Sequence, residues 1–312
     1  MGSYQMYNFQ VRIFLSRFQF AGVVLALISA VGFSAKAIFV KLAYGYAVDA
    51  VTLLALRMAF SVPFFLVAAL YAGSRQTGQS LLFKDWVSVA ALGFIGYYLA
   101  SFLDFLGLKF ISAGLERLIL FLYPTMVVLI SALVFRKKVG KKTMLALLVS
   151  YAGIAMVFLH DVRMEQDGIL PGSVLVFSSA LAYAIYLVGA GNTIVKVGAT
   201  RFTAYAMTVA CVAALLQFVL THPIAELKQP FEVYGLSFAM AIFSTVLPAF
   251  TLGAAIRRIG SMHTSMIGAI GPVVTIYLAY LFLGESLSAT QLAGSVLVVT
   301  GVLMISLKSQ KD

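Results

Sequence analysis

Ten apolar segments, each about long enough to cross a lipid bilayer, follow one another along this chain. A helix needs roughly 20 apolar residues to cross the hydrocarbon core. The predicted spans lie at about residues 19–42, 50–72, 86–107, 113–135, 142–160, 171–190, 200–220, 233–255, 262–283 and 288–307. No run alternates in polarity as a barrel strand does. With a mean hydropathy of +1.01, the sequence predicts an all-α polytopic membrane protein and excludes an ordinary soluble domain.

The predicted spans form two halves of five, and the second half repeats the first. The matching segments are 30–33 with 180–183, 123–128 with 271–276, and 151–154 with 299–302. An odd number of spans per half predicts that the second half enters the bilayer inverted. We expect one integrated transporter domain with no separate extramembranous part. Its predicted segments are a cytoplasmic or interfacial leader at 1–18, a first repeat at 19–160, an extracytoplasmic linker at 161–170, a second repeat at 171–308 and a cytoplasmic tail at 309–312.

Lys and Arg collect in the connections on one side of the predicted spans, as in the basic cluster at 136–142. The opposite connections carry only Lys41, Lys109, Arg163 and Lys228. By the positive-inside rule, this asymmetry predicts that both termini are cytoplasmic. The net charge of +11 is therefore a signal of topology. We predict lipid as the surrounding partner and no nucleic-acid partner.

Motifs of soluble enzymes and of metal sites are missing from the sequence. There is no GxxxxGK[ST] phosphate loop and no HExxH helix. The lone Cys211 lies within a span, and the histidines His160, His222 and His263 are scattered. We therefore predict a protein that is not an enzyme, with no catalytic residues, no cofactor and no metal site.

The ionisable candidates within predicted spans, where charge is expensive and usually functional, are Lys36, Arg57, Asp104, Glu116 and Arg117. Lys36 lies past the middle of the first span and either faces a wet cavity or forms a structural pair with Asp104 or Glu116. Asp104 and Glu116 are candidates for proton coupling or for an ion pair. Arg57 is either a conformational latch or a side chain that reaches the membrane interface. Glu116 and its neighbour Arg117 point about 100° apart and need not pair.

Tyrosines near the middle of the spans are candidate substrate contacts, because a buried hydroxyl needs a partner. Tyr97, Ser101 and Asp104 are spaced to share one helix face. The predicted substrate cavity is lined by Lys36, Tyr97, Ser101, Tyr123, Tyr183, Tyr186 and Tyr277. A cavity of this composition suits a small amphipathic or zwitterionic substrate.

Prolines interrupt the spans, and we predict helix breaks at Pro124, Pro248 and Pro272. Pro124 and Pro272 occupy equivalent positions in the two halves, so these two breaks belong to the architecture.

Small residues recur two turns apart in the last span of each half. They are Ala146 and Gly153 in the fifth span, and Gly294 and Gly301 in the tenth. Such pairs form smooth surfaces for close helix packing. They predict packing within a monomer or a weak dimer through the fifth and tenth spans.

The two five-span halves, the breaks at Pro124 and Pro272, and the turn Leu283-Gly284-Glu285-Ser286-Leu287 together resemble a known family. From about residue 19 to 308 the chain resembles the drug/metabolite transporter superfamily, specifically ten-helix exporters with two EamA-type repeats. Within these it is similar to the bacterial aromatic amino-acid exporter group. The Gly-Glu turn occurs only in the second half, since the first half has Arg136-Lys137 there.

The resemblance implies a central cavity formed by the first, third, fourth, sixth, eighth and ninth helices, alternating access, and efflux of amino acids or related metabolites. We hypothesise a multi-pass exporter in a bacterial inner membrane that carries neutral amino acids with bulky or aromatic side chains. Lys36 or the backbone end of a broken helix would meet the carboxylate. The alternatives are export of other metabolites or cationic drugs, or a non-transporting membrane assembly subunit.

Overall fold

A computed structural model describes residues 2–74, 81–134, 136, 140–163, 168–268, 270–286 and 288–308, and its regular elements are all helical within these ranges. The α-helices are α1 Gly2–Tyr44, α2 Ala50–Ser74, α3 Phe83–Gly93, α4 Ala100–Gly107, α5 Ala113–Leu120, α6 Tyr123–Val134, α7 Lys141–Arg163, α8 Ile169–Val197, α9 Ala199–Thr221, α10 Phe231–Ala241, α11 Leu247–Gly268, α12 Gly271–Leu283 and α13 Ala289–Lys308. The predicted tail at 309–312 and residues 164–167 of the predicted linker lie outside the described residues.

Seven helical stretches among the described residues are long and apolar enough to cross a membrane. They are Phe20–Tyr44, Ala50–Gly73, Phe83–Gly107, Ala113–Val134, Ile169–Ala190, Thr200–Thr221 and Phe231–Ala255. Three shorter apolar helices, Met144–Leu159, Gly271–Leu283 and Ala289–Met304, lie where the fifth, ninth and tenth spans are predicted. The expectation of an all-helical, multi-pass chain is confirmed at this level.

The predicted leader at 1–18 is not separate from the first span. Its backbone from Gly2 onwards is the beginning of α1, which runs for 43 residues. At 1.5 Å per residue this helix is about 65 Å long, roughly twice the thickness of the hydrocarbon core. No proline or glycine lies between Tyr4 and Phe20, so nothing in the local sequence ends the helix there.

The two halves of the chain pack into one another. Helix α1 lies against α11 and α12, α2 lies against α9, and α4 lies against α8. The largest buried apolar cluster accordingly contains Val40 and Leu53 from the first half and Met207 and Met240 from the second.

The chain turns back within the segment that follows Pro248. Arg258 and Ile259 lie against Gly22 near the start of the first span, whereas the Ser34 hydroxyl donates to the carbonyl of Gly271 at 3.2 Å. Gly22 and Ser34 are about 18 Å apart along α1. The chain therefore reverses direction between Ile259 and Gly271, where the sequence predicts the boundary of the eighth and ninth spans.

Helix breaks lie at two of the three predicted prolines. Helix α5 ends at Leu120 and α6 begins at Tyr123, while α11 ends at Gly268 and α12 begins at Gly271. Pro124 and Pro272 are each the second residue of the new helix, where the missing N–H costs little. No helix break lies at Pro248. It is the second residue of α11, which follows the π-helical turn Ile242–Val246 without interruption.

A π-helical turn occurs at the same place in each half, and the sequence did not predict either. Phe94–Leu99 and Ile242–Val246 each follow an eleven-residue α-helix. Each turn widens the helix and rotates the residues that follow it. In the first half, Gly96 in this turn brings the backbone against the ring of Tyr186.

The glycines of α7 and α13 face each other within the chain. A Cβ on Gly153 would lie 2.7 Å from the carbonyl oxygen of Gly294, and one on Gly301 would lie 2.6 Å from that of Ala146. The predicted close packing of the fifth and tenth spans therefore occurs inside the monomer, and these glycine surfaces are already covered.

We expect Gly153→Ala and Gly294→Ala to lower the unfolding temperature. Alanine favours a helix over glycine by about 1 kcal/mol, but overpacking at these contacts costs about 1–3 kcal/mol. Gly235→Ala is the matched control, because a Cβ there meets no atom within 4 Å. A thiol-reactive dye provides the measurement, since Cys211 is buried and is the chain's one cysteine. Equal unfolding temperatures in all three variants would contradict the glycine contact.

Candidate functional site

A half-buried lysine joins two buried carboxylates from neighbouring helices. Lys36 of α1 places Nζ 2.5 Å from Oδ2 of Asp104 and 3.4 Å from Oε1 of Glu116. Both acidic side chains are almost completely buried. Two carboxylates thus share one ammonium group, and the trio carries an excess negative charge when all three are ionised. The sequence predicts that Lys36 either faces a wet cavity or pairs with one of the two acids. In the structure it pairs with both.

The connection between α4 and α5 brings these two acids to the same lysine. Asp104 lies near the end of α4, and Glu116 lies in the first turn of α5, where a negative charge is favoured by the helix dipole. The Ser112 hydroxyl starts α5 by accepting a hydrogen bond from the Leu115 amide at 3.1 Å. The Tyr44 hydroxyl donates to the Phe105 carbonyl at 2.5 Å and holds the end of α1 against α4.

Arg57 is buried inside the bundle and does not reach the membrane interface. Its Nε donates to the Thr245 hydroxyl at 2.8 Å, and its guanidinium lies 5.3 Å above the centre of the Phe105 ring. Thr245 belongs to the π-helical turn of the second half. Arg57 therefore links α2 to that turn and lies close enough to Asp104 for electrostatic attraction.

Four of the predicted tyrosines form one continuous aromatic cluster, which we call the tyrosine cluster: Tyr97, Tyr123, Tyr183 and Tyr186. The hydroxyls of Tyr97 and Tyr186 are hydrogen-bonded at 2.8 Å. The ring of Tyr183 stacks on Tyr186 at 5.6 Å and meets Tyr123 edge-on at 5.1 Å. Tyr186 is buried, and the other three rings are half-buried.

Two predicted cavity residues lie elsewhere. Tyr277 is 58% exposed, on the same outer stripe of α12 as Val273 and Leu281, so the structure does not bring it to the tyrosine cluster. Ser101 is half-buried, one turn beyond Tyr97. Tyr97 itself lies in the π-helical turn and faces α8, whereas Asp104 faces α1. Tyr97 and Asp104, which are expected to share one helix face, thus contact different neighbouring helices.

Arg117 lies where the two helix breaks meet, and the sequence analysis did not include it in the cavity. Its Nη2 is 3.5 Å from the Ser34 hydroxyl, and its guanidinium occupies the place where a Cβ on Gly271 would lie. The side chain is near enough to Tyr123 and Tyr183 for electrostatic interaction. Its position one turn before the break at Pro124 is the signal that could have identified it.

Arg117 is not neutralised as Lys36 is. Among the described residues, no carboxylate lies within 4.0 Å of its guanidinium, and its buried Nε has no hydrogen-bond partner. The side chain is half-buried. It is thus a partly accessible cation beside the tyrosine cluster, next to the amino end of α12.

The Gly-Glu turn singled out in the sequence connects the two halves. Gly284 ends α12 with a φ of 67°, a conformation that glycine adopts without strain. Glu285 then accepts hydrogen bonds from the amides of Ala113 at 3.0 Å and Gly114 at 3.4 Å. These amides begin α5 and have no partner within that helix, so the carboxylate caps it.

Comparisons with known proteins agree with the repeat and the fold. A model of the EamA-like transporter family matches residues 20–159 and again residues 170–307. The chain is 31% identical to the "Uncharacterized transporter YcbK" of Bacillus subtilis (strain 168) over 302 residues, which cover 93% of this chain and 95% of that protein. It is 29% identical to the "Uncharacterized transporter YyaM" of the same organism over 232 residues, covering 73% and 75% of the two chains. A solved structure, named only "Crystal structure of protein", has a similar fold, with a TM-score of 0.65, 20% identity, and coverage of 93% and 98%.

We expect Lys36→Met to destabilise the protein more than any exposed lysine substitution. Removing one partner of a buried ion pair costs about 3–5 kcal/mol, because the remaining charges stay buried. Adding Asp104→Asn and Glu116→Gln to Lys36→Met restores part of the loss. The measurement is the thermal unfolding of each variant in detergent, with the exposed Lys84→Met as control. A Lys36→Met variant as stable as the control would show that the ammonium group does not stabilise the bundle.

Proposed function

The chain belongs to the EamA-like transporter family, and on that premise we propose that it is a secondary transporter of a bacterial inner membrane that exports neutral amino acids with bulky or aromatic side chains. Family membership makes the chain a multi-pass membrane transporter. Its cargo and direction follow from the chemistry of the site and from the resemblance described above.

We propose ten membrane crossings in two inverted halves, with both termini in the cytoplasm. The family matches each half separately, and contacts between distant residues agree with the scheme. Asp49 lies beside His222, two residues that the scheme places outside. Lys196 pairs with Asp85 at 3.5 Å, and the scheme places both inside. The reversal of chain direction between Ile259 and Gly271 agrees with a boundary between the eighth and ninth spans at that point.

The observation that carries the substrate assignment is the position of Arg117 beside the tyrosine cluster. A guanidinium binds a carboxylate through two parallel hydrogen bonds. The amino end of α12 lies next to it and favours an anion as well. The neighbouring residue, Glu116, is completely buried in the trio with Lys36. The accessible charge of the site is therefore the guanidinium, which would bind the carboxylate of a zwitterionic amino acid.

The tyrosine cluster supplies the apolar part of the proposed site. Aromatic rings associate edge-to-face or offset-stacked at the centroid distances found among these tyrosines. A bulky or aromatic side chain bound there would contact Tyr97, Tyr123, Tyr183 and Tyr186. Lys36, already paired with two acids, is less suited to bind a carboxylate than Arg117 is.

We further propose transport by alternating access, with a closed extracytoplasmic side in this structure. The contacts that close it are the Lys36 trio, the Tyr44–Phe105 hydrogen bond and the Glu285 cap on α5. Each joins helix ends that the scheme places towards the outside. Opening of that side requires these contacts to separate, since they connect α1, α4, α5 and the end of α12.

Proton coupling is proposed for the same trio. Asp104 and Glu116 share one ammonium group inside the bundle, so protonation of either acid would change the net charge of the trio. Asp104 and Glu116 together form the proposed carrier, and Arg57 is the neighbouring positive charge.

Cationic drugs are the alternative cargo, and the partly accessible Arg117 disfavours them by repulsion. A non-transporting assembly subunit is the alternative from another functional class. It is distinguished by the absence of any saturable flux.

We expect saturable uptake of labelled phenylalanine into proteoliposomes, with a KM raised about 10- to 100-fold in Arg117→Gln. This range corresponds to the loss of about 1.5–3 kcal/mol from a hydrogen bond to a charged group. Unlabelled phenylalanine should compete, whereas phenethylamine, which has no carboxylate, should not. Tyr277→Phe, on the outer surface, is the control. Equal competition by phenethylamine would exclude the Arg117 assignment, and no flux in any variant would exclude the transport proposal.

We expect Asp104→Asn combined with Glu116→Gln to abolish the pH dependence of phenylalanine flux. Neither substituted side chain can take up a proton, so a coupled flux would become insensitive to an imposed pH gradient. The measurement compares flux with and without that gradient in wild type and in the double variant. A pH dependence that persists unchanged would assign proton transfer to other groups.

A further inference from the structure

Three metal-ligating side chains meet at the end of the bundle that the proposed topology places outside. Asp49 precedes α2, His222 follows α9, and Glu226 lies in the 3₁₀ turn Ile224–Leu227. Each offers one ligand atom, and the three atoms lie within 4.8 Å of one another. The sequence analysis predicted no metal site because the histidines are scattered, but the fold brings His222 to two acids.

The two ring nitrogens of His222 have different neighbours. Nδ1 lies 2.6 Å from the Thr221 hydroxyl oxygen, which is itself 2.7 Å from the Gln217 carbonyl oxygen. Nε2 is turned towards the two acids, so it is the ring nitrogen that can ligate an ion held by this group.

Nε2 of His222 faces two carboxylates. It is 3.3 Å from Oδ1 of Asp49 and 4.0 Å from Oε2 of Glu226. One imidazole nitrogen and two carboxylate oxygens thus converge on one point, as the ligands of a bound cation do. A ligating histidine that donates its other N–H to a neighbouring oxygen is also the usual arrangement around a bound metal.

The three ligands are held by their own surroundings. The His222 ring stacks on Phe218, with centroids 5.7 Å apart and an angle of 15°. Asp49 accepts hydrogen bonds from the amides of Val51 and Thr52 at 2.7 and 3.1 Å. These two hydrogen bonds fix the orientation of the Asp49 carboxylate at the start of α2.

From this geometry we infer that Asp49, His222 and Glu226 form a binding site for a divalent transition-metal ion, best matched by Zn²⁺. Imidazole and carboxylate are both ligands of Zn²⁺, at about 2.0–2.2 Å. Tetrahedral ligands at that distance are about 3.4 Å apart, which the Asp49–His222 distance already matches. Glu226 needs to approach only slightly, and its side chain is 43% exposed. Water fills the fourth position.

The site connects the two halves of the chain. Asp49 lies in the first half, whereas His222 and Glu226 lie in the second. A bound ion would therefore clamp the connection between α1 and α2 to the segment after α9. If this side opens during transport, as proposed above, Zn²⁺ would slow the cycle. That consequence rests on the proposed function, but the binding itself does not.

The test is isothermal titration of the full-length, tag-free protein with ZnCl₂ at pH 7.5. We expect one equivalent of Zn²⁺, with affinity at least tenfold weaker in Asp49→Asn and in His222→Phe. Asparagine preserves the cap on α2, and phenylalanine preserves the stack on Phe218. Glu226→Gln, in an exposed turn, is a third variant should either of these misfold. Glu232→Gln, an exposed acid outside the group, should bind as wild type does.

X-ray absorption at the zinc edge should show nitrogen and oxygen ligands at about 2.0–2.2 Å, including one imidazole. Zn²⁺ should also lower phenylalanine flux in wild type and not in His222→Phe. Absence of binding, or equal binding in all variants, would overturn the site. If neither the wild type nor any variant shows flux, the zinc titration still tests the metal site. Failure of the transport proposal can therefore be told apart from failure of the metal-site proposal.

Discussion

A charge within the hydrocarbon core is tolerated when a second charge or a polar group meets it, and this requirement organises the interior of the bundle around Lys36. Its ammonium draws together α1, α4 and α5 through Asp104 and Glu116. Two arginines within the spans of the first half, Arg57 and Arg117, are met differently. Arg57 donates to the Thr245 hydroxyl of the second half. Arg117 lies between the Ser34 hydroxyl of the first half and Gly271 of the second.

The backbone follows the same requirement, because a polar group exposed to lipid has no water to bond. Where α11 gives way to α12, α1 supplies the partners. The Ser34 hydroxyl donates to the Gly271 carbonyl, and the Ser34 carbonyl accepts from the Thr275 hydroxyl at 3.1 Å. In the π-helical turn of the second half, Thr245 donates to the carbonyl of Met240 at 3.1 Å. At the break between α11 and α12 the polar partners thus come from a neighbouring helix, whereas in the π-helical turn one comes from the same segment.

Sequence reasoning found the tyrosine cluster and both acids of Lys36, because a hydroxyl or a charge in mid-span must have a partner. It misplaced Tyr277, since helical periodicity groups residues on a face without telling which face points inward. The π-helical turns have no residue signature in the sequence, so they could not be predicted from it. The partner of Arg57 and the neighbours of His222 come from the other half of the chain, so only the packing of the two halves reveals them.

Equivalent positions in the two halves carry different residues, and this difference bears on the proposed transport cycle. By the offset that relates Pro124 to Pro272, Asp104 and Glu116 correspond to Leu252 and Thr264. By the offset that relates 30–33 to 180–183, Lys36 corresponds to Tyr186. The charged trio thus has no ionic counterpart at the equivalent positions of the second half. In an exactly symmetric pair of repeats, closing one side or the other would have equal free energy. Here the trio forms on the extracytoplasmic side of the proposed scheme, which favours closure of that side. For an exporter, that closed conformation is the one that receives its cargo from the cytoplasm.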